Sequence, residues 1–223
     1  MVSESKMVSG AEPVESMTNS QKLGILIVLS TFLWVLFSIG KYWLADVHYA
    51  TGQKNYQFFA KIQDSQYLIS SFQSLQSAVK ANPSEPAILS EYAVSAAYLS
   101  AALAAKDSST AAQLAQTAAF AANRAVSLNP RHPNYYKSAA RAYILLSAVD
   151  SRYLQLAADT LQKAVLISPT DPRIPYNLGI IYKYLNATPS STFYFQESLR
   201  LKPDFADPQA QLNDIMPLKS LSE

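Results

Sequence analysis

The chain contains no cysteine, which excludes disulfides, thiolate nucleophiles and cysteine-ligated metals. Glycine is scarce, with five in 223 residues, and no stretch alternates apolar and polar residues for long enough to make a sheet. There are two histidines, His48 and His132. No His-Glu-x-x-His, Gly-x-Ser-x-Gly or phosphate-loop pattern accompanies them. His132 sits between Arg131 and Pro133 and reads as a solvated turn residue; His48 has no partner motif either. Charge is also sparse: 15% of residues are charged and the net charge is +2, without the concentrated basic face of a nucleic-acid binder. The expectation is a non-catalytic protein with no cofactor, no metal and no nucleic-acid partner.

One block is dense in apolar residues. From Leu23 to Gly40 there are 18 residues with no ionisable group, followed by Lys41-Tyr42-Trp43-Leu44, a snorkelling cation with two interfacial aromatics. As a helix, Leu23–Leu44 is about 33 Å long, enough for a hydrocarbon core of about 30 Å. A buried core helix would normally carry a polar stripe, and this one has none. The apolar region of a cleaved signal peptide is shorter, about 7–15 residues, and no Ala-x-Ala site follows Trp43. The block therefore predicts a single-pass anchor in contact with the lipid bilayer. Its flanks carry Lys6 and Lys22 on one side, Lys41, Lys54 and Lys61 on the other, so orientation stays open. No Gly-x-x-x-Gly pair marks a dimer face, and oligomeric state stays open too. Residues 1–21, rich in Ser, Glu and Met, read as a disordered tail. Residues 22–44 are the expected span, 45–215 a helical domain and 216–223 a C-terminal tail.

The helical domain is punctuated by recurring endings: Ala78-Val-Lys-Ala-Asn-Pro83, Ala125-Val-Ser-Leu-Asn-Pro130, Ala164-Val-Leu-Ile-Ser-Pro169 and Ser198-Leu-Arg-Leu-Lys-Pro203. Each proline stops a helix, because its ring clashes with the preceding turn and it offers no N–H. Pro86, Pro133, Pro172 and Pro208 follow and suit the first turn of the next helix. The pattern predicts an all-α stack of about four helical hairpins: 46–62 with 65–81, 86–105 with 109–128, 133–149 with 153–168, and 173–185 with 190–201. A helix at 208–215 would cap the stack. Asp171 and Asp207, each before a proline, are the expected N-caps of their helices. Ala45 follows the apolar run without a linker, which places the start of the array at the membrane surface and allows its first helix to continue the span.

The proline intervals are 47, 39 and 34 residues. The last unit, with Tyr176-Asn177-Leu178-Gly179-Ile180-Ile181-Tyr182 followed by Ser191, Phe195, Ser198 and Pro203, resembles the tetratricopeptide repeat (TPR). Ala140, Tyr143, Ala157, Leu161, Ala164 and Pro169 carry the likeness in the unit before. Ala93, Ala96, Ala118, Ala122, Ala125 and Pro130 carry it in the second unit; Ser71, Leu75, Ala78 and Pro83 in the first. Gly179 and Ala140 would let the second helix cross closely. Excess residues are expected near Ser100–Ser109, with the turn at Lys106–Ser109, and near Ala148–Arg152.

The resemblance implies a right-handed α-solenoid whose first helices line a concave, partner-binding face. It nominates Tyr98, Asn134, Lys137, Arg141, Arg173, Tyr176, Asn177 and Lys183. Cations beside tyrosine and amide groups suit a carboxylate-bearing peptide or an acidic sugar. The five-residue carboxylate clamp of chaperone-binding TPR proteins is not reproduced. Asn186-Ala187-Thr188 fits a glycosylation acceptor, a triplet that also arises by chance. The apolar run entering Tyr42-Trp43-Leu44-Ala45-Asp46-Val47-His48-Tyr49-Ala50-Thr51-Gly52, with repeats after it, is similar in arrangement to the C-terminal end of bacterial O-antigen ligase-like membrane proteins. That similarity implies an accessory or detached tail in envelope glycan assembly, with the repeats outside the cytoplasm and the catalytic part absent.

Overall fold

A computed structural model of the chain describes residues 17–215. The predicted tail at 216–223 and most of that at 1–21 lie outside the described residues. All regular structure among the described residues is helical. The helices are α1 (Asn19–Ile62), α2 (Ser65–Ala81), α3 (Pro86–Leu103), α4 (Ser108–Leu128), α5 (Pro133–Leu146), α6 (Arg152–Ile167), α7 (Arg173–Tyr184), α8 (Thr188–Leu201) and α9 (Ala206–Ile215). The chain divides into two compact units at Lys41/Tyr42.

In the first unit, α1 starts earlier than the sequence reading placed it. Thr18 Oγ1 accepts from Gln21 N at 3.3 Å and Gln21 Oε1 accepts from Thr18 N at 2.9 Å. This reciprocal capping box, Thr18-Asn-Ser-Gln21, puts residues 19–21 in the helix rather than the tail. Leu23, Leu26, Leu33, Trp34 and Phe37 are all exposed. Among the described residues, α1 is the one helix long and apolar enough to cross a membrane.

The second unit is built from hairpins that end alike. Asn82, Asn129, Ser168 and Lys202, each preceding a proline, adopt φ of −135°, −140°, −137° and −143°. A following proline drives this departure from helical geometry. Each still donates its N–H to the carbonyl four residues back, on Ala78, Ala125, Ala164 and Ser198. Those small residues are fully buried where neighbouring helices cross. Pro86 and Pro133 take the first positions of α3 and α5 as expected.

Two expected caps are corrected. Asp207 lies inside the first turn of α9, not at its N-cap. The N-cap position of α7 is Pro172, which cannot cap through a side chain, although Asp171 Oδ1 still accepts from Arg173 N at 3.0 Å. Side-chain caps that the sequence reading did not name are Asp64, Glu85 and Asp107, at the starts of α2, α3 and α4.

Repeat length varies for identifiable reasons. The long second unit puts its excess into helices of 18 and 21 residues, against 12 and 14 in the last unit. Its core is largely alanine: Ala93, Ala96, Ala97, Ala115, Ala118, Ala122 and Ala125 are all buried. Small side chains let α3 and α4 lie close along their whole length. The third unit splits its excess between helices of 14 and 16 residues and the turn Ser147–Ser151.

Gly179 admits the second helix of its pair most closely. A Cβ built on it would lie 2.5 Å from Cδ1 and Cε1 of Phe195, a ring that is itself fully buried. Gly52 does the same in the first pair: its Cβ would lie 2.6 Å from Leu75 Cγ. Residues 45–62 of α1 therefore serve as the first helix of a repeat, with Ala45 packed against Ala78 of α2 and Ile88 of α3. The α9 helix packs on α8 and buries Leu212.

Candidate functional site

The first helices of the pairs, α1 (from Ala45), α3, α5 and α7, contribute side chains to one polar and aromatic surface. At its centre is Arg141 on α5. Its guanidinium donates to the hydroxyls of Tyr56 on α1 and Tyr98 on α3, the latter at 3.1 Å. It also lies over both rings, 5.5 Å and 5.6 Å from their centroids. Phe59 completes the aromatic group, 5.7 Å from Tyr98 and 6.2 Å from Tyr56. Three helices are thus joined at one residue. Burial pushes the Tyr56 phenol up to about 12, against the opposing charge of Arg141. Burial acts most strongly, to raise Tyr98, but the hydrogen bonds with Arg141 and Tyr56 and the charge of Arg141 together outweigh it and hold the phenol below its ordinary value.

Beside Arg141, a cleft of about 310 Å³ opens among Lys137, Ser138, Ile144, Leu161 and Asn177. Lys137 is spoken for: its ammonium lies 2.9 Å from Asp171 Oδ2. Asp171 also receives Arg173 Nε at 3.0 Å. Burial tends to raise the Asp171 carboxyl, but the hydrogen bonds from Arg173 and Lys137 prevail and hold it at about 2.

The nominated residues thus fall into two groups. Tyr98, Arg141, Lys137 and Asn177 come together around the cleft and its aromatic margin. The others are engaged elsewhere or stand alone. Arg173 braces Asp171 and remains largely exposed. Lys183 donates to Gln211 Oε1 at 2.9 Å and pairs with Asp214, tying α7 to the terminal helix. Tyr176 packs between Phe195 and Phe205, at 6.0 Å and 5.3 Å between ring centres. Asn134 is exposed in the first turn of α5. His132 is the exposed N-cap residue of α5, without a side-chain cap bond.

The sequence reading missed Tyr56 and Phe59. Both lie in the least regular unit, where no repeat motif fixes the register. Gly52 was the available signal: Tyr56 lies one turn beyond it.

No protein-family model matches the chain, and no curated protein matches it in sequence. Solved structures do match in fold. A MamA protein superimposes with a TM-score of 0.54 at 16% identity, covering 77% of this chain and 80% of that one. PilF of Pseudomonas aeruginosa gives 0.56 at 16% identity, over 80% and 70%. Cut9, from a hetero-tetramer with Hcn1, gives 0.53 at 18% identity, over 76% of this chain and 29% of that one. All three are TPR proteins. The comparisons lend no support to the likeness with ligase-like membrane proteins. The stacked, proline-terminated hairpins of this chain have the tetratricopeptide-repeat fold.

Proposed function

We propose that the chain is a membrane-anchored, non-catalytic scaffold that binds a protein or peptide segment on the surface lined by its first helices. The observation that carries this reading is the cleft between Arg141 and Asn177. There the guanidinium of Arg141 and the amide of Asn177 line a cleft with apolar Ile144 and Leu161, and the same guanidinium bonds the hydroxyls of Tyr56 and Tyr98. A few oriented polar groups over apolar lining suit an extended peptide with an acceptor for Arg141, a carboxylate above all. In this reading the surface is the concave side of a right-handed solenoid. TPR proteins typically act as interaction scaffolds, which supports the class of function.

The anchor is residues 22–44 within α1, and its apolar side chains contact lipid. The repeats lie outside the cytoplasm in this proposal. The envelope-glycan alternative rests on sequence arrangement alone, and the scaffold reading does not depend on it.

Two measurements test the proposal. Alkaline carbonate should leave the chain in the membrane pellet, and Leu29→Arg with Leu33→Arg should release it; a wild-type chain found in the supernatant removes the anchor. Arg141→Met with Asn177→Ala should abolish capture of whatever co-purifies with the wild type while helicity is retained. Unchanged capture removes the site. Protease accessibility of the repeats in spheroplasts decides sidedness.

A further inference from the structure

Arg141 holds its two tyrosines through a single nitrogen. Both bonds leave Nη2, one to the Tyr56 hydroxyl and one to that of Tyr98, and they use both of its hydrogens. Among the described residues Nε and Nη1 bond nothing, and no carboxylate pairs with the guanidinium. A guanidinium grips a carboxylate as a fork, through Nε with Nη2 or through Nη1 with Nη2. Either fork needs an Nη2 hydrogen. The chain's own ion pairs use the first. Arg152 holds Asp150 through Nε at 3.1 Å and Nη2 at 2.6 Å, and Arg173 holds Asp171 through Nε at 3.0 Å and Nη2 at 3.1 Å. On Arg141 both forks are blocked by hydroxyls.

A carboxylate reaching Arg141 therefore gains only single bonds, from Nη1 or Nε, while both tyrosines stay in place. One hydroxyl must let go before a fork can form. The exchange favours the ligand, because a charge-assisted pair replaces a bond to a neutral group. Both hydroxyl bonds lie at an exposed position, so water can take over the released phenol.

The same bonds join repeats. Tyr56 belongs to the first repeat and Arg141 to the third, whereas stacked repeats ordinarily touch only their neighbours. Tyr98 is on α3, which packs against α5 in any case. Release of Tyr98 leaves its repeats together; release of Tyr56 unties the end of α1 from α5.

We propose that the join of Arg141 to Tyr56 and Tyr98 is a latch, closed in the free protein and opened by a ligand carboxylate that takes Nη2 and loosens residues 53–62 of α1. This inference rests on the peptide-binding reading above and supplies its regulation. Latch and ligand compete for one nitrogen, so each weakens the other by the same factor. A weaker latch tightens the ligand, and a bound ligand loosens α1.

The test uses the full-length chain in detergent micelles, with helicity checked for each variant. Amide hydrogen exchange over residues 53–62 should be about two- to fivefold faster in Arg141→Met than in wild type. Equal exchange overturns the latch and leaves peptide binding standing. Peptides are then selected on the wild-type chain from a random library displayed on phage. Those with a fixed Asp or Glu should bind Tyr56→Phe with Tyr98→Phe about two- to fivefold more tightly than wild type, because the rings remain and Nη2 is free. They should also speed exchange over residues 53–62 of the wild type. Equal or weaker binding to the double variant overturns the latch, since the hydroxyls then do not compete with the ligand. Selected peptides with no fixed acid overturn it too, and leave peptide binding standing. A library that yields no binders overturns both readings. Should the double variant misfold, Tyr56→Phe alone carries the test, because one free Nη2 hydrogen completes a fork.

Discussion

The hydroxyl of Ser71 donates to the carbonyl oxygen of Gly52 across 2.9 Å, and Ser191 does the same to Gly179 at 2.9 Å. Both serines are fully buried. Four residues after each comes the side chain that crosses the glycine: Leu75 in the first repeat, Phe195 in the last. The two ends of the array therefore use one device. A glycine opens the first helix, a large residue fills the opening, and a serine bonds the glycine's buried carbonyl.

Adding a methyl group at either glycine should destabilise the array. At Gly179 the new Cβ meets a buried ring that cannot bend away, and at Gly52 it meets the branch point of Leu75. Overpacking of this kind costs about 1–3 kcal/mol. Gly179→Ala should lower the urea midpoint of the full chain in micelles, and Phe195→Leu should relieve part of the loss, giving a non-additive double-mutant cycle. Equal midpoints for Gly179→Ala and wild type would show that the crossing is slack.

The serines should matter less. Ser71→Ala and Ser191→Ala each remove one neutral hydrogen bond, and the glycine carbonyls remain within helices. The expected cost is about 0.5–1.5 kcal/mol each, read from the same urea midpoints. A loss several times larger would mean that the hydroxyl sets the helix crossing rather than decorating it.

The hairpins were legible because proline and alanine act locally. Pro83, Pro130, Pro169 and Pro203 stop helices by their own covalent geometry, so every stop could be read without knowing a neighbour. The join at Arg141 was half legible. Tyr98 and Arg141 lie at recognisable repeat positions, whereas Tyr56 lies in a unit whose glycine has Leu75 against it where the last unit has a phenylalanine. The pairing of Lys137 with Asp171 joins residues 34 apart. Only the packed hairpins bring them together, so Lys137 read as free when it is committed. Thr18 and Gln21 were a readable capping box, hidden by the polar composition of the tail around them.

Acid should weaken the junction between the third and fourth repeats first. Asp171 has its carboxyl held at about 2, below its unperturbed value of 3.8, by Arg173 and Lys137 acting against burial. A depressed acid contributes stability above its unfolded value and loses it as pH falls through the folded one. The contribution is about 2 kcal/mol, present above pH ~4 and lost progressively toward pH ~2. Asp171→Asn should lower stability at neutral pH and flatten that part of the pH profile. A variant with the same acid profile as wild type would show that other carboxylates dominate.

Arg141 and Lys137, neighbours on α5, should separate binding from folding. Lys137 neutralises a carboxylate whose side chain is 12% exposed, so Lys137→Met leaves Asp171 with Arg173 alone. Loss of this partly buried ion pair should cost about 1–2 kcal/mol. Arg141 bonds two neutral hydroxyls at an exposed position, and water can replace it there. Arg141→Met should therefore cost less than about 1 kcal/mol. Replacing Lys137, Arg141 and Arg173 together would mix these effects, because two of the three hold Asp171. The single substitutions keep them apart: urea midpoints should fall further for Lys137→Met, while partner capture should fall further for Arg141→Met. The reverse ranking would make Arg141 a brace between helices and move the binding surface elsewhere.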